Sequence, residues 1–212
     1  MRLITLTLLI LATLVLGAGC PNSPTASRAE LNSITQIYLQ GDPATAADKL
    51  EVYLKSHPRE DLAWTLLGNA YEDLDRDEQA ESAYSKALEI NPKRFEAITG
   101  MGILCRKKRE YDRAMSYYKQ SLEIDPKYAQ AYASMVVISI KQKKYKEALT
   151  FAETSYNLDK SDPGVVANFA AACHFNGLTE KRDQLTQEAE RLGYKNGNNL
   201  RMIYSGELSM DD

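Results

Sequence analysis

The sequence repeats itself at a fixed interval, and this feature constrains the fold more than any other. The stretch YSKALEINP at Tyr84–Pro92 returns as YKQSLEIDP at Tyr118–Pro126. Pro58, Pro92 and Pro126 keep the same interval, since 92−58=34 and 126−92=34. A period of this length is typical of stacked units that bury their apolar faces only against their neighbours.

Large, small and aromatic residues recur at the same positions of each unit. In unit 61–94 they are Trp64, Leu67, Gly68, Tyr71, Ala80, Tyr84 and Ala87, followed by Pro92. This pattern resembles the tetratricopeptide-repeat family. The resemblance implies an all-α fold, a right-handed α-solenoid of helix-turn-helix repeats. Repeats are predicted at 27–60, 61–94, 95–128, 129–162 and 163–196, with a C-terminal cap or tail at 197–212.

Small residues are predicted where the two helices of a repeat approach each other closely. Gly68 in the first helix and Ala80 in the second leave room for this approach, and Gly102 repeats the pattern one period after Gly68. The large side chains of Tyr84 and Tyr118 then fill the space between repeats.

The chain begins with one arginine and an uncharged run, Leu3–Gly19, that ends at Cys20. The motif LGAGC resembles the lipobox of bacterial lipoproteins, although Gly17 stands where that family favours leucine. The resemblance implies that 1–19 is a signal peptide, that Cys20 is acylated, and that 20–28 is a polar tether. It places the mature chain in the bacterial cell envelope, anchored to a membrane by lipid and facing the periplasm. An uncleaved anchor helix is the alternative.

No motif of a known catalytic or metal site is present. The sequence lacks a P-loop, a nucleotide-binding glycine pattern and a nucleophile elbow. Its two histidines, His57 and His174, have no partner at metal or triad spacing. The net charge of -3 offers no basic field for nucleic acid. We therefore expect no enzyme activity, cofactor, metal site or nucleic-acid partner; an enzyme outside these motifs is the remote alternative.

Cys105 and Cys173 occupy the same repeat position and stand two periods apart, since 173−105=68. Equivalent positions in stacked repeats are separated by successive helix packings of ~8–10 Å. A disulfide needs Cα atoms within ~7 Å. We therefore expect two buried free thiols.

Members of the tetratricopeptide-repeat family bind a protein or peptide on the concave face, which the first helix of each repeat lines. Projected onto this sequence, the resemblance gives a groove that passes from polar to small and apolar residues. The alternative is that Val137 and Ile140 only pack against the next repeat. The predicted groove residues are Tyr38, Thr65, Asn69, Glu72, Thr99, Ile103, Arg106, Val137, Ile140 and His174.

Charge is distributed unevenly over the turns inside the repeats. An acidic turn, Glu72–Glu78, is followed by basic turns at Arg106–Glu110 and Lys141–Lys146. Because stacked turns lie along one edge, a basic ridge is predicted. It either binds an acidic partner or an anionic envelope polymer, or is neutralised by neighbouring turns; salt should weaken ridge binding and barely affect an apolar groove. The ridge residues are Arg106, Lys107, Lys108, Arg109, Lys143 and Lys144.

The layout of a lipobox followed by repeats resembles envelope lipoproteins such as type IV pilus pilotins and adaptors of peptidoglycan hydrolases. The resemblance implies a membrane-anchored scaffold that binds a protein or peptide partner in its groove. Its expected role is to assist assembly of an envelope complex of the type IV pilus or secretion type.

Overall fold

The computed structural model describes residues 24–206, and within that range helix follows helix without a strand. The predicted signal peptide 1–19 and the predicted lipidation site Cys20 lie outside the described residues, as do residues 207–212. The helices are α1 (Pro24–Leu39), α2 (Pro43–Ser56), α3 (Asp61–Asp73), α4 (Asp77–Ile90), α5 (Phe95–Lys107), α6 (Tyr111–Ile124), α7 (Ala129–Lys141), α8 (Tyr145–Leu158), α9 (Pro163–Phe175), α10 (Thr179–Arg191) and α11 (Gly197–Ser205).

The all-α repeat architecture expected from the sequence is confirmed. Helices α3, α5, α7 and α9 each begin at the first residue of a predicted repeat. Helix α1 differs, because it begins at Pro24 inside the segment 20–28 that was predicted as a tether. Proline is compatible with the first turn of a helix, since its missing N–H would have no partner there.

The turn inside each repeat contains one residue with positive φ. The next amide bonds back into the preceding helix; Arg76 N, for example, donates to Tyr71 O at 2.8 Å. This is the usual way for a helix to end in a left-handed residue. Three of the five positions lack glycine, and the left-handed conformation costs such residues about 1 kcal/mol each. The positions recur once in every repeat and are Gly41, Asp75, Arg109, Lys143 and Gly177.

Contacts between repeats explain why the solenoid is concave on one side. Helix α3 packs beside α5, α5 beside α7, and α7 beside α9. In the described part of the chain, the backbones of consecutive even-numbered helices from α2 to α10 stay apart. Helices α8 and α10 meet through side chains, where Tyr156 Oη donates to Glu188 Oε1 at 3.1 Å. The odd-numbered helices are therefore crowded together on the inner face, and the even-numbered helices spread apart on the outer face.

Tyrosines and alanines dominate the core between the helices. Tyr53, Tyr84 and Tyr118 are fully buried large side chains. Cys105 and Cys173 are buried free thiols, as expected from their spacing. Burial raises the pKa of both thiols, to about 11 for Cys173.

Helix α11 packs against α9 and α10 at the end of the solenoid. Its Leu200 is buried, and Arg201 Nη1 lies 2.6 Å from Glu190 Oε1 of α10. Residues 197–205 therefore cover the last repeat. Between residues 24 and 206, no helix combines the length and the apolar character that crossing a membrane requires.

Candidate peptide-binding groove

A cavity of about 650 Å³ opens on the inner face, between the odd-numbered helices of the first four repeats. Helices α1, α3, α5 and α7 and the turn after α8 supply its walls. The cavity brings together five of the ten predicted groove residues: Tyr38, Asn69, Glu72, Thr99 and Ile103.

Tyr84 forms part of the floor of this groove. Its hydroxyl donates a 2.8 Å hydrogen bond to Asn69 Oδ1, while its ring lies against Gly68 and Gly100. The role of Gly100 was not predicted, because this residue belongs to the following repeat. The sequence signal was a second glycine two positions before Gly102.

Three predicted groove residues are buried, so the prediction that they contact a partner needs correction. Thr65 bonds back to Asp61 O at 2.8 Å. Thr99 lies beneath the cavity and donates to Ser121 Oγ at 2.8 Å. Ile140 belongs to the core cluster shared with α9, which is the packing alternative considered for it.

Arg106, Val137 and His174 were also predicted in the groove, but they do not line the cavity. Val137 is half-buried on α7. The ring of His174 lies 4.8 Å from that of Tyr204 on α11. Burial and the nearby Arg182 lower the pKa of His174. Helix α11 therefore covers the side of the last repeat on which a partner was expected to bind.

Arg106 lies beside the fully buried Tyr118. Neither Arg106 Nε nor Tyr118 Oη makes a hydrogen bond of normal geometry among the described residues, although Arg106 and Ser134 are polar neighbours of the tyrosine hydroxyl. Ile103 stands at the position that Asn69 occupies in the previous repeat. Isoleucine has no side-chain acceptor, so Tyr118 lacks the hydrogen bond that Tyr84 makes to Asn69.

The groove is acidic, which the sequence analysis missed. One lysine, Lys127, lines the cavity together with five carboxylates. Because of their charge, binding in this polar part of the groove should weaken as the salt concentration rises, unlike binding to an apolar surface. The acidic residues of the lining are Glu72, Asp73, Glu96, Asp159 and Asp162.

Titration of the lining residues reflects this concentration of negative charge. Burial raises the pKa of Glu72, against the opposing effect of Lys107. Burial followed by the charges of Glu96 and Asp162 raises the pKa of Tyr128 to about 12. The pKa of Tyr38 is raised above its ordinary value by burial and by a hydrogen bond to Asp73.

The predicted basic ridge is partly neutralised by its neighbours. Lys107 Nζ lies 2.6 Å from Asp77 Oδ1 and 3.0 Å from Asp75 Oδ1. Lys108 Nζ lies 2.8 Å from Glu81 Oε2. Of the other four ridge residues, Arg106 is half-buried. The remaining three are exposed and form no ion pair within the described part of the chain; they are Arg109, Lys143 and Lys144.

No cluster of histidine, cysteine or carboxylate side chains between residues 24 and 206 has the arrangement of a metal site. The histidines found there, His57 and His174, have local structural contacts. His57 stacks on the ring of Tyr53 with centroids 4.2 Å apart.

Two models of the tetratricopeptide repeat match the sequence, over residues 62–94 and 106–174. The chain is a tetratricopeptide-repeat protein. No curated protein sequence is matched significantly.

Solved structures of other tetratricopeptide-repeat proteins share the fold. A TPR protein of Thermus thermophilus, TTC0263, superposes with a TM-score of 0.70 at 17% identity, over 85% of this chain and 98% of its own. PilW, described as a type IV pilus biogenesis factor, gives 0.64 at 21% identity, over 88% and 93%. Pseudomonas aeruginosa PilF gives 0.64 at 17% identity, over 86% and 84%. At these identities the similarity establishes the fold.

Proposed function

We propose that the protein is a non-catalytic scaffold that binds a segment of a partner protein in the groove on its inner face. The observation that carries the proposal is the cavity itself, which extends across the first helices of four consecutive repeats. Exposed side chains such as Gln130 line it beside rigid helices. A partner segment lying there would contact several repeats at once, which is how a solenoid gains affinity and specificity.

The site of action that we propose is the bacterial cell envelope, in assembly of a complex of the type IV pilus or secretion type. Two observations support it: the lipobox-like sequence ending at Cys20, and the fold shared with PilW and PilF. Acylation of Cys20 with two or more chains would hold the protein stably at a membrane.

The mass of the intact protein from its native membrane tests the anchor. Acylation predicts a chain that begins at Cys20 and carries the added mass of lipid, and a Cys20→Ser variant that lacks this mass. Wild-type protein that begins at Met1 without lipid contradicts the anchor.

Photocrosslinking in cells tests which surface binds the partner. A photoreactive residue is placed at Gln130 in the groove, at Lys143 on the ridge, or at the exposed Glu123 on α6 as a control. The groove proposal predicts a specific protein adduct at Gln130 that is absent at the other two positions.

The exposed ridge residues Arg109, Lys143 and Lys144 favour a second candidate, a surface for an acidic partner or an anionic polymer. Adducts at Lys143 without adducts at Gln130 would replace the groove proposal with this one. A Lys143→Glu, Lys144→Glu variant would then lose the adduct.

A further inference from the structure

The chemistry of the groove identifies the kind of segment that fits it. Of its five carboxylates, Asp73, Asp159 and Asp162 have no cation within ion-pair distance in the described chain. Glu72 has Lys107 Nζ at 3.7 Å, and Glu96 has Arg94 Nη1 at 3.7 Å. The groove therefore presents excess negative charge to whatever enters it.

Lys127 lines the groove and offsets one of its five carboxylates, while two further cations beside the groove are engaged elsewhere. Arg94 donates two hydrogen bonds to Asp61 Oδ2, at 2.6 and 2.8 Å. Lys107 lies closer to Asp75 and Asp77 than to Glu72. Neither can turn to the groove without breaking these shorter contacts, so the negative charge is a fixed property of the site.

One carboxylate oxygen in the groove lacks a donor. Glu96 Oε2 is buried and makes no hydrogen bond in the described part of the chain, since Arg94 Nη1, at 3.7 Å, is too far away to donate one. A buried acceptor without a hydrogen-bond donor costs free energy that an incoming N–H group would recover. This observation is independent of the charge count and points to the same ligand chemistry.

Apolar side chains also contribute to the lining. Leu39, at the end of α1, is 67% exposed, and Leu158, at the end of α8, is 39% exposed. They belong to the first and fourth repeats and line the same cavity as the carboxylates. Exposed leucines in a concave site favour a ligand with apolar side chains of its own.

We propose that the segment bound in the groove is cationic and amphipathic, with lysine or arginine side chains between apolar ones. This inference rests on the proposed function and specifies its partner. Ammonium or guanidinium groups would pair with Asp73 and Glu96, and apolar side chains would contact Leu39 and Leu158. An acidic segment would meet like charges and is excluded. The acidic C-terminal residues 207–212, ELSMDD, are excluded for the same reason.

Synthetic peptides test the inference with the full chain purified in detergent. Three labelled peptides of about twelve residues, which extended span roughly 40 Å, carry identical leucines and differ in having Lys, Glu or Ser between them. Fluorescence anisotropy measures their affinities. The Lys–Leu peptide should bind about tenfold or more tightly than the Glu–Leu peptide, and its affinity should fall as salt rises from ~0.05 to ~0.5 M.

A matched pair of variants locates the binding. The double variant Asp73→Asn, Glu96→Gln should bind the Lys–Leu peptide about tenfold more weakly than the wild type does. Asp48→Asn with Glu123→Gln removes the same charge from exposed positions outside the cavity and should change the affinity less than twofold. Thermal melts confirm that both variants fold. If the groove variant is unstable, the order in which the wild-type chain binds the three peptides tests the inference alone.

Equal or tighter binding of the Glu–Leu peptide, or equal losses in the two variants, would overturn the inference. The photocrosslinking experiment separates this failure from failure of the proposed function. If the segment crosslinked at Gln130 is acidic, the proposal of a groove-binding scaffold stands and the proposal of a cationic partner segment is refuted. Absence of any adduct at Gln130 would refute binding of a partner in the groove, on which the proposed function depends.

Discussion

A single aromatic ring connects two repeats and forms the floor of the groove. Tyr84 is 1% exposed, and its ring lies between Gly68 of its own repeat and Gly100 of the next. A Cβ at Gly68 would lie 2.5 Å from Tyr84 Cδ1. Tyr118 repeats this arrangement against Gly102, where a Cβ would lie 2.5 Å from Tyr118 Cε1. These glycines are required by close packing, since none of them has positive φ.

A double-mutant cycle tests this packing at the residue scale. Gly68→Ala should lower the free energy of unfolding by about 1–3 kcal/mol, because the new methyl group forces the Tyr84 ring to move. In a Tyr84→Ala background the ring is absent, and the same change should become stabilising by up to about 1 kcal/mol through better helix propensity. Urea unfolding measures all four chains. A destabilisation by Gly68→Ala that persists without the ring would show that the steric account is wrong.

The spacing of the repeat predicted Gly68 and Gly102 because each stands at a position prescribed by its own repeat. Gly100 was not predictable in this way, because it is required by the tyrosine of the preceding repeat. The unsatisfied hydroxyl of Tyr118 has a different origin inside one repeat, since Ile103 stands where the previous repeat has Asn69, the acceptor for Tyr84. Contacts between repeats depend on pairs of positions, and a single-repeat pattern does not specify them.

At the scale of the element, one carboxylate joins the start of α3 to the end of the same repeat. Asp61 Oδ2 accepts from Asn91 Nδ2 at 2.7 Å and from Arg94 Nη2 at 2.6 Å. Burial opposes ionisation of Asp61, but these hydrogen bonds and the charge of Arg94 outweigh it and hold its pKa below the usual value. The interaction is specific to this repeat, since Phe95 occupies the equivalent position of the next one.

Removal of this carboxylate should reduce stability in a pH-dependent way. At pH 7, Asp61→Asn should lower the free energy of unfolding by about 1–2 kcal/mol, because hydrogen bonds to a charged acceptor are lost. A carboxyl with a depressed pKa in the folded state contributes stability above its unfolded pKa of about 3.9 and loses it as the pH falls through the folded value. The difference between wild type and variant should therefore shrink below about pH 4.

Urea unfolding at several pH values measures this difference, with the exposed Asp48→Asn as the control. The control should match the wild type throughout the range. If the free energy of unfolding of Asp61→Asn differs from that of the wild type by the same amount at neutral and acid pH, the charge of Asp61 does not stabilise the fold.

At the scale of the whole molecule, the groove has two boundaries. It begins at α1, where Tyr38 and Leu39 line it, and it reaches the turn after α8, where Asp159 and Asp162 line it. Beyond that turn, α11 covers the last repeat through the contact of Tyr204 with His174. The cavity is therefore confined to the first four repeats, whereas the predicted groove extended to His174 in the fifth.

The sequence did not predict the acidity of the groove, because the acidic residues that line it are far apart in the chain. Asp159 and Asp162 lie in a turn between the fourth and fifth repeats, whereas Asp73 belongs to the second repeat and is distant from them in the chain. They meet on one surface only because four repeats curve around it. The sequence therefore predicted the solenoid, and five of its ten candidate groove residues line the cavity, but it did not predict the negative charge that gathers there.

Hydrogen exchange of the full chain, alone and with the partner captured at Gln130, tests the central claim that the inner groove is the binding surface. Turn amides exchange readily in the protein without its partner, so a bound segment should slow the exchange of the turns that it covers. The account predicts slower exchange at Asp125–Tyr128 and Asp159–Asp162 and unchanged exchange at Arg106–Glu110 and Lys141–Lys146. Protection of the latter two turns with unchanged exchange at the former two would contradict the groove and identify the ridge as the binding surface.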